Sequence, residues 1–222
     1  MMLRVGSRFV GCWFIVLCTC GIAMAQGPAT WSFDDAKAGE LPVGWAGAKT
    51  GDGPGSEWRV VEAERDGKKN LALAQVSSEG PRPLFNLCVH SSAKHLNVDL
   101  SVDVKAIKGE IDQGGGLVWR YRDANNYYIT RWNPLETNFR VYHVVDGKRT
   151  QLANADITLP NNQWHTVRAV QRGNHIQCYL DGMLLLDVMD ETIKEAGAIG
   201  LWSKADAVTW FDNMKLQPPG RP

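Results

Sequence analysis

Leu96, Val98, Leu100, Val102, Val104 and Ala106 alternate with Asn97, Asp99, Ser101, Asp103 and Lys105 over eleven residues without a break. A period of two marks a strand with one buried face. Shorter runs of the same character predict further strands at Trp58–Glu62, Asn70–Gln75, Leu84–Val89, Leu117–Arg122, Tyr127–Trp132, Phe139–Val145 and Lys148–Leu152. Others follow at His165–Gln171, His175–Leu180, Met183–Val188, Ala198–Trp202 and Val208–Lys215. Asp66-Gly67, Asp146-Gly147, Gly173-Asn174 and Asp181-Gly182 fall between runs. Such pairs supply the positive φ that tight hairpins require. Asp190–Ala196 is the one helical hint, about two turns long. Many short strands with regular turns predict an all-β fold, an antiparallel two-sheet sandwich or jelly roll.

Turn positions set a register between Leu117 and Leu152. A four-residue turn at Asp123–Asn126 places Arg122 opposite Tyr127, Arg120 opposite Ile129 and Val118 opposite Arg131. A loop at Asn133–Asn138 places Trp132 opposite Phe139, Arg131 opposite Arg140 and Ile129 opposite Tyr142. The Asp146-Gly147 turn places Val144 opposite Arg149 and Tyr142 opposite Gln151. Alternation then sorts the side chains onto two faces. Leu117, Trp119, Tyr121, Tyr128, Thr130, Trp132, Phe139, Val141, His143 and Leu152 form the core face. Arg120, Arg122, Tyr127, Arg131, Arg140, Tyr142, Arg149 and Gln151 form a wet face. Arg131 opposite Arg140 is a like-charge pair that something acidic or hydrogen-bonding should offset: Glu136, a carboxylate from a neighbouring strand, or a ligand. Planar guanidinium forks and Tyr hydroxyls suit polyhydroxy or carboxylate ligands. A solvated sheet face is the competing reading.

Composition bounds the class. The chain has 222 residues, 24 Lys+Arg against 24 Asp+Glu, and 44% apolar residues. That balance fits one soluble domain and lacks the basic footprint of a general nucleic-acid binder. Residues 1–25 read as a secretory signal peptide: Arg4 and Arg8, an apolar run from Phe9, then Ala23-Met24-Ala25. A lipoprotein signal at Cys18 or Cys20 and a membrane anchor are weaker fits. Cleavage leaves a jelly-roll domain over 26–217, a tail over 218–222, no membrane span, and a secreted or periplasmic protein. Three of the five cysteines leave with the signal. Cys88 and Cys178 remain, either bridged in an oxidising compartment or buried as free thiols.

Several blocks are similar to a known group. They are Gly114–Tyr128, Arg131, Asn133–Glu136, Trp164–Arg168, Gly173–Gly182, Gly197–Lys204, and Phe211-Asp212, with Phe33–Asp35 and Leu41–Trp45 in front. Together they resemble bacterial concanavalin A-like, laminin-G-like domains of the "domain of unknown function 1080" group, associated with 3-keto-disaccharide hydrolases. The resemblance implies a jelly roll whose concave sheet receives a glycan. It also implies that Arg120, Asn126, Arg131, Asn133 and Glu136 lie together near that cleft.

On this reading the ligand-binding candidates are Arg120, Asn126, Arg131, Trp132, Asn133, Arg140, Tyr142, Trp202 and Lys204. Glu136 and Asp206 are the candidate catalytic carboxylates, with an ion pair to Arg131 or Arg140 as the competing role for Glu136. Glu110-Ile111-Asp112 lacks the further Glu that a one-strand glycosidase motif needs, so it reads as loop. Asp34 near the first strand and Asp212 near the last are candidate calcium ligands, with ordinary turn and edge chemistry as the alternative. No His pair has metal spacing, and no phosphate loop is present. Most of the eight Trp between Trp31 and Trp210 belong in a core, Trp132 and Trp202 being the candidate exposed stackers. The sequence therefore predicts a carbohydrate-binding domain. Cleavage of 3-keto-glycosides and a non-catalytic adhesion role are the alternatives.

Overall fold

The alternation predicted from Leu96 becomes a strand from Val98, with Leu96 exposed in the bend before it, and its inward residues Val98, Leu100, Val102, Val104 and Ala106 are fully buried. It is one of fifteen strands in the computed structural model, which describes residues 27–218 and 220, without side-chain detail at 91–93. The signal-peptide reading, with Cys12, Cys18 and Cys20, lies outside the described residues. In chain order the strands are β1 (Ala29–Trp31), β2 (Trp45–Thr50), β3 (Trp58–Arg65), β4 (Lys68–Gln75) and β5 (Phe85–His95). Next come β6 (Val98–Lys108), β7 (Gly115–Asp123), β8 (Asn126–Asn133), β9 (Asn138–Val145) and β10 (Lys148–Asp156). The last are β11 (Trp164–Arg172), β12 (His175–Leu180), β13 (Met183–Met189), β14 (Gly197–Lys204) and β15 (Val208–Gln217). The described residues contain no helix. The 190–196 segment predicted as helical is irregular, because Asp190 spends its carboxylate on Thr192 and Tyr128.

The strands form two antiparallel sheets. An eight-stranded sheet runs β13-β12-β11-β6-β15-β4-β3, with β1 added on β15. A seven-stranded sheet runs β10-β9-β8-β7-β14-β5-β2. Between them lies the main core, in which Leu117, Trp119, Trp132, Phe139 and Val141 meet Leu100, Val102, Val167, Ile176 and Phe211. Each aromatic ring there removes ~150–250 Å² from water. Cys88 and Cys178 belong to this core as free, buried thiols, so of the two sequence alternatives the bridge is absent.

The seven-stranded sheet curls strongly. Arg149 on β10 and Phe85 on β5 stand five strands apart, about 24 Å if the sheet were flat. The Arg149 guanidinium nevertheless sits 5.0 Å from the Phe85 ring centre. Thr50, at the end of β2, bonds the Tyr127 hydroxyl at 2.7 Å and the carbonyl of Ala124 in the β7–β8 turn. The outer face of this sheet is therefore the concave one. It holds a second cluster of its own: Phe85, Leu87, Val118, Tyr127, Ile129, Tyr142, Val144 and Trp202.

Registers match expectation from β8 to β10. Trp132 pairs with Phe139, Arg131 with Arg140, Ile129 with Tyr142, and Val144 with Arg149. At β7 they do not. Asp123 pairs with Asn126 across a two-residue turn, and a bulge follows before Trp119 pairs with Tyr128. Val118 thus faces Ile129, not Arg131. The offset is two residues, which leaves Leu117, Val118 and Trp119 on their expected faces. Inside the bulge two assignments reverse. Arg120, at φ +46°, leaves the concave face, and Tyr121 joins it, stacked on Tyr127 at 6.0 Å.

Candidate functional site

The bulge gives Arg120 a structural task. Its guanidinium donates to the carbonyls of Leu96 at 2.8 Å, Ile193 at 2.6 Å and Gly173 at 2.6 Å. It ties down three segments at one end of the sandwich. Asn126 sits at that end too, donating to Asp123 and accepting from the Asp146 amide. Asn133 is at the opposite end of β8, about 23 Å away at strand rise. The expected meeting of Arg120 and Asn126 with Arg131, Asn133 and Glu136 is thus excluded by the length of β8.

The remaining residues do meet. Asn133 closes β8 and Asn138 opens β9, and the two pair across the 134–137 turn. Turn geometry, with Thr137 at φ +51°, folds Glu136 back over the strands. Its carboxylate receives Arg131 at 2.8 Å and Arg140 at 3.2 Å. This one shared acid bridges Arg131 and Arg140 and cancels one of their two charges. Arg131 is 2% exposed and also donates to Asn138 and to the Tyr142 hydroxyl. The Glu136 amide bonds the Asn133 side chain, whose own NH2 group donates to Asp112 at 2.8 Å. Asp112 completes the chain with Lys204 at 2.5 Å. Burial pushes the Asp112 carboxyl above its usual range, with Lys204 and Arg131 working against that shift. At Glu136 burial acts the same way, but Arg131, Asn138 and Arg140 outweigh it and hold the carboxyl below its usual range.

Arg149 is different. Its guanidinium lies 4.4 Å from the Tyr142 ring centre, 5.0 Å from Phe85 and 5.7 Å from Trp202. Its Nη1 is buried and has no hydrogen-bond partner among the described residues. A ladder Arg149–Tyr142–Arg131–Glu136–Arg140 thus runs along the concave face, from an aromatic box to a polar rim. Glu136 and Arg140 are 34% and 28% exposed, which puts the rim in contact with solvent. Alternation along the strands places Arg149 on this face but does not single it out, and Asp112 reads from the sequence as loop. The available signal was a cation with no acid at a cross-strand neighbour position. Phe85 gave no signal, because only the sheet's curl brings it near.

Other candidates fall elsewhere. Trp132 is buried between the sheets against His165, ring centres 4.6 Å apart, so it is no surface stacker. Trp202 is 1% exposed and floors the concave cluster. Asp206 accepts the successive amides of Glu110, Ile111 and Asp112 at 2.7, 3.0 and 3.0 Å. These bonds outweigh burial and hold its carboxyl low. It clamps the loop that delivers Asp112. Asp212 accepts from Asn70 at 2.8 Å and from the Asn213 amide at 2.6 Å. Among the described residues no three His, Cys, Asp or Glu side chains gather as metal ligands. Burial and the nearby Asp34 push the Asp212 carboxyl up, while Asn70, the Asn213 amide and Arg65 pull it back. Grooves of about 650 Å³ beside Trp210 and Lys105, and about 410 Å³ beside Trp31 and Trp45, lie away from the ladder.

The blocks that position this ladder fall within residues 32–217, which match the model of the 3-keto-alpha-glucoside-1,2-lyase-like domain. The chain belongs to that family. No curated protein matches it. Among solved structures, this lyase-like domain is similar in fold to the carbohydrate binding module CBM66 from Bacillus subtilis. The TM-score is 0.61 and the identity 19%, over 78% of this chain and 94% of that one. It is also similar to the xylan beta-1,4-xylosidase from Bacillus halodurans C-125, with TM-score 0.56 and 12% identity over 88% of this chain and 40% of that one. The carbohydrate recognition domain of Emp47p gives TM-score 0.52 and 11% identity over 86% and 95%. At these identities the likeness is one of fold.

Proposed function

We propose that this domain binds carbohydrate at the concave face of the seven-stranded sheet, and that it acts after export from the cell. The observation that carries the reading is the ladder itself. Buried rings of Phe85, Tyr142 and Trp202 back a line of guanidinium and carboxamide groups that reaches solvent at Glu136 and Arg140. Saccharides present apolar ring faces and hydroxyl edges, so a site for them combines aromatic surface with fixed polar groups. Family membership supports a sugar ligand, and similar folds serve named carbohydrate-binding modules. Titration calorimetry against a soluble glycan array tests it. Saturable binding that weakens tenfold or more in Tyr142→Ala is the expected result. Absence of binding to any glycan overturns the proposal.

The family supports a second reading, eliminative cleavage of a 3-keto-glycoside. A ketone at C3 acidifies the C2 hydrogen. A base removes that proton, the C1–C2 double bond forms, and the C1–O bond breaks with the aglycone taking up a proton. In this chain Glu136 is the carboxylate at the rim. Arg131 and Arg140 hold it low, which makes it a weak base near neutral pH. Binding without turnover is therefore the primary reading. Turnover of a 3-keto-glucoside that is lost in Glu136→Gln would reverse the order.

A further inference from the structure

We infer that the glycan taken by the concave face carries a carboxylate, a uronic acid residue, and that Arg149 is the group that selects it. The inference rests on the carbohydrate-binding reading and adds a charge to the ligand.

The first ground is the charge balance of the face. Arg131, Arg140 and Arg149 in the ladder and Lys204 beside it supply four positive charges. Glu136 and Asp112 supply two negative ones, and both are already spent. Glu136 is shared by Arg131 and Arg140, and Asp112 holds Lys204 and Asn133. Burial weighs most against the Arg149 charge; Tyr142, Asp112 and Glu136 support it and Arg131 opposes it, and no acid forms an ion pair with it among the described residues.

The second ground is the bonding state of Arg149. A guanidinium has five N–H donors in a planar fork. Rings of Tyr142, Phe85 and Trp202 surround it, 4.4 to 5.7 Å from ring centre to guanidinium carbon, and supply no counter-charge. Nη1 is buried and unpartnered. A buried donor without an acceptor is costly, and a half-buried charge without a counter-charge more so. The other three cations each have an acid within 3.2 Å.

The third ground is the shape of the complement. A sugar hydroxyl can accept one N–H and leaves the charge uncompensated. A carboxylate accepts two parallel N–H bonds from the same fork and cancels one charge. With the acid on Arg149, the sugar hydroxyls would lie toward the exposed rim at Glu136 and Arg140. The aromatic box holds the fork in place before the ligand arrives, so little side-chain entropy is lost on binding.

The test uses the full chain and three probes: oligogalacturonate, oligoglucuronate and oligomannuronate. Each is titrated beside its own methyl ester, which keeps the oxygen atoms and removes the charge. We expect at least one acid form to bind, its ester to bind at least tenfold more weakly, and Arg149→Gln to bring the acid down to the ester's level. Arg149→Lys keeps the charge and loses the fork, so it should recover only part of the difference. Thermal unfolding of both variants separates a lost contact from a lost fold. If acid and ester bind alike, or if only neutral glycans bind, the carboxylate inference falls and the carbohydrate reading stands. If no glycan of either charge binds, both fall.

Discussion

Glu136 shows how one acid can set the energetics of a whole loop. Removing it leaves Arg131 buried with no counter-charge, the costly half of a broken ion pair. Since Glu136 keeps a third of its surface in water, Glu136→Gln should cost about 2 kcal/mol, below the range for a fully buried pair. Urea unfolding at pH 7 measures this. The pH dependence has a definite sign. The folded carboxyl lies below its ordinary value of 4.5, held there by Arg131, Asn138 and Arg140 against the opposing effect of burial. The unfolded chain therefore binds the proton first. The stabilisation is complete above about pH 5 and is lost as pH falls through the folded value. Melting temperatures between pH 3 and 6 should fall steeply in the native chain and less steeply in Glu136→Gln. The Glu136–Arg131/Arg140 pairing was legible from the sequence, because opposed arginines demand an acid and the nearest one lies in the joining loop. Arg149 was not selected, because its partners are five strands away and meet it only through curvature.

Hairpins were legible where turn chemistry and alternation agree, and illegible where backbone geometry intervenes. The Asp146-Gly147 turn fixes β9 on β10 residue by residue near the turn. Nothing in Arg120-Tyr121-Arg122 announces a bulge, since all three residue types suit a regular strand. Gly197 does explain why a bulge fits there. A Cβ on it would lie 2.3 Å from the Arg120 carbonyl carbon and 2.5 Å from the Tyr121 nitrogen. The Gly114–Gly116 run answers close backbone approach. A Cβ on Gly116 would meet the Thr130 carbonyl oxygen at 2.0 Å. Gly116→Ala must push β7 off β8 under the ladder, at a cost of about 3 kcal/mol, the upper end for overpacking. Gly67→Ala, at φ +72° with open space around it, should cost only about 1 kcal/mol for its left-handed backbone. Chemical denaturation of the two variants side by side checks the contrast.

At the scale of the whole molecule, the seven-stranded sheet serves two cores. Its inner face builds the layer shared with the eight-stranded sheet, and its curled outer face builds a second one against itself. Composition and alternation made the first predictable. The second breaks the expectation that one face of a half-buried sheet stays wet, because curling lets side chains from distant strands bury each other. The cleft that the resemblance implied is thus largely filled by Phe85, Leu87, Tyr127 and Trp202, and the ladder meets solvent at its Glu136–Arg140 rim. This arrangement predicts equal sensitivity on both faces. Leu87 on the concave face and Leu117 on the inner face are each fully buried. Leu87→Ala and Leu117→Ala should both cost about 3 kcal/mol, as deep core truncations do. Because one set of strands carries both clusters, both variants should still unfold in a single transition with an unchanged denaturant slope. A cost below about 1 kcal/mol for Leu87→Ala would mean that the concave cluster is surface packing. The rigid floor assigned to the ladder would then be lost, and with it the reason that Arg149 is held ready for a ligand.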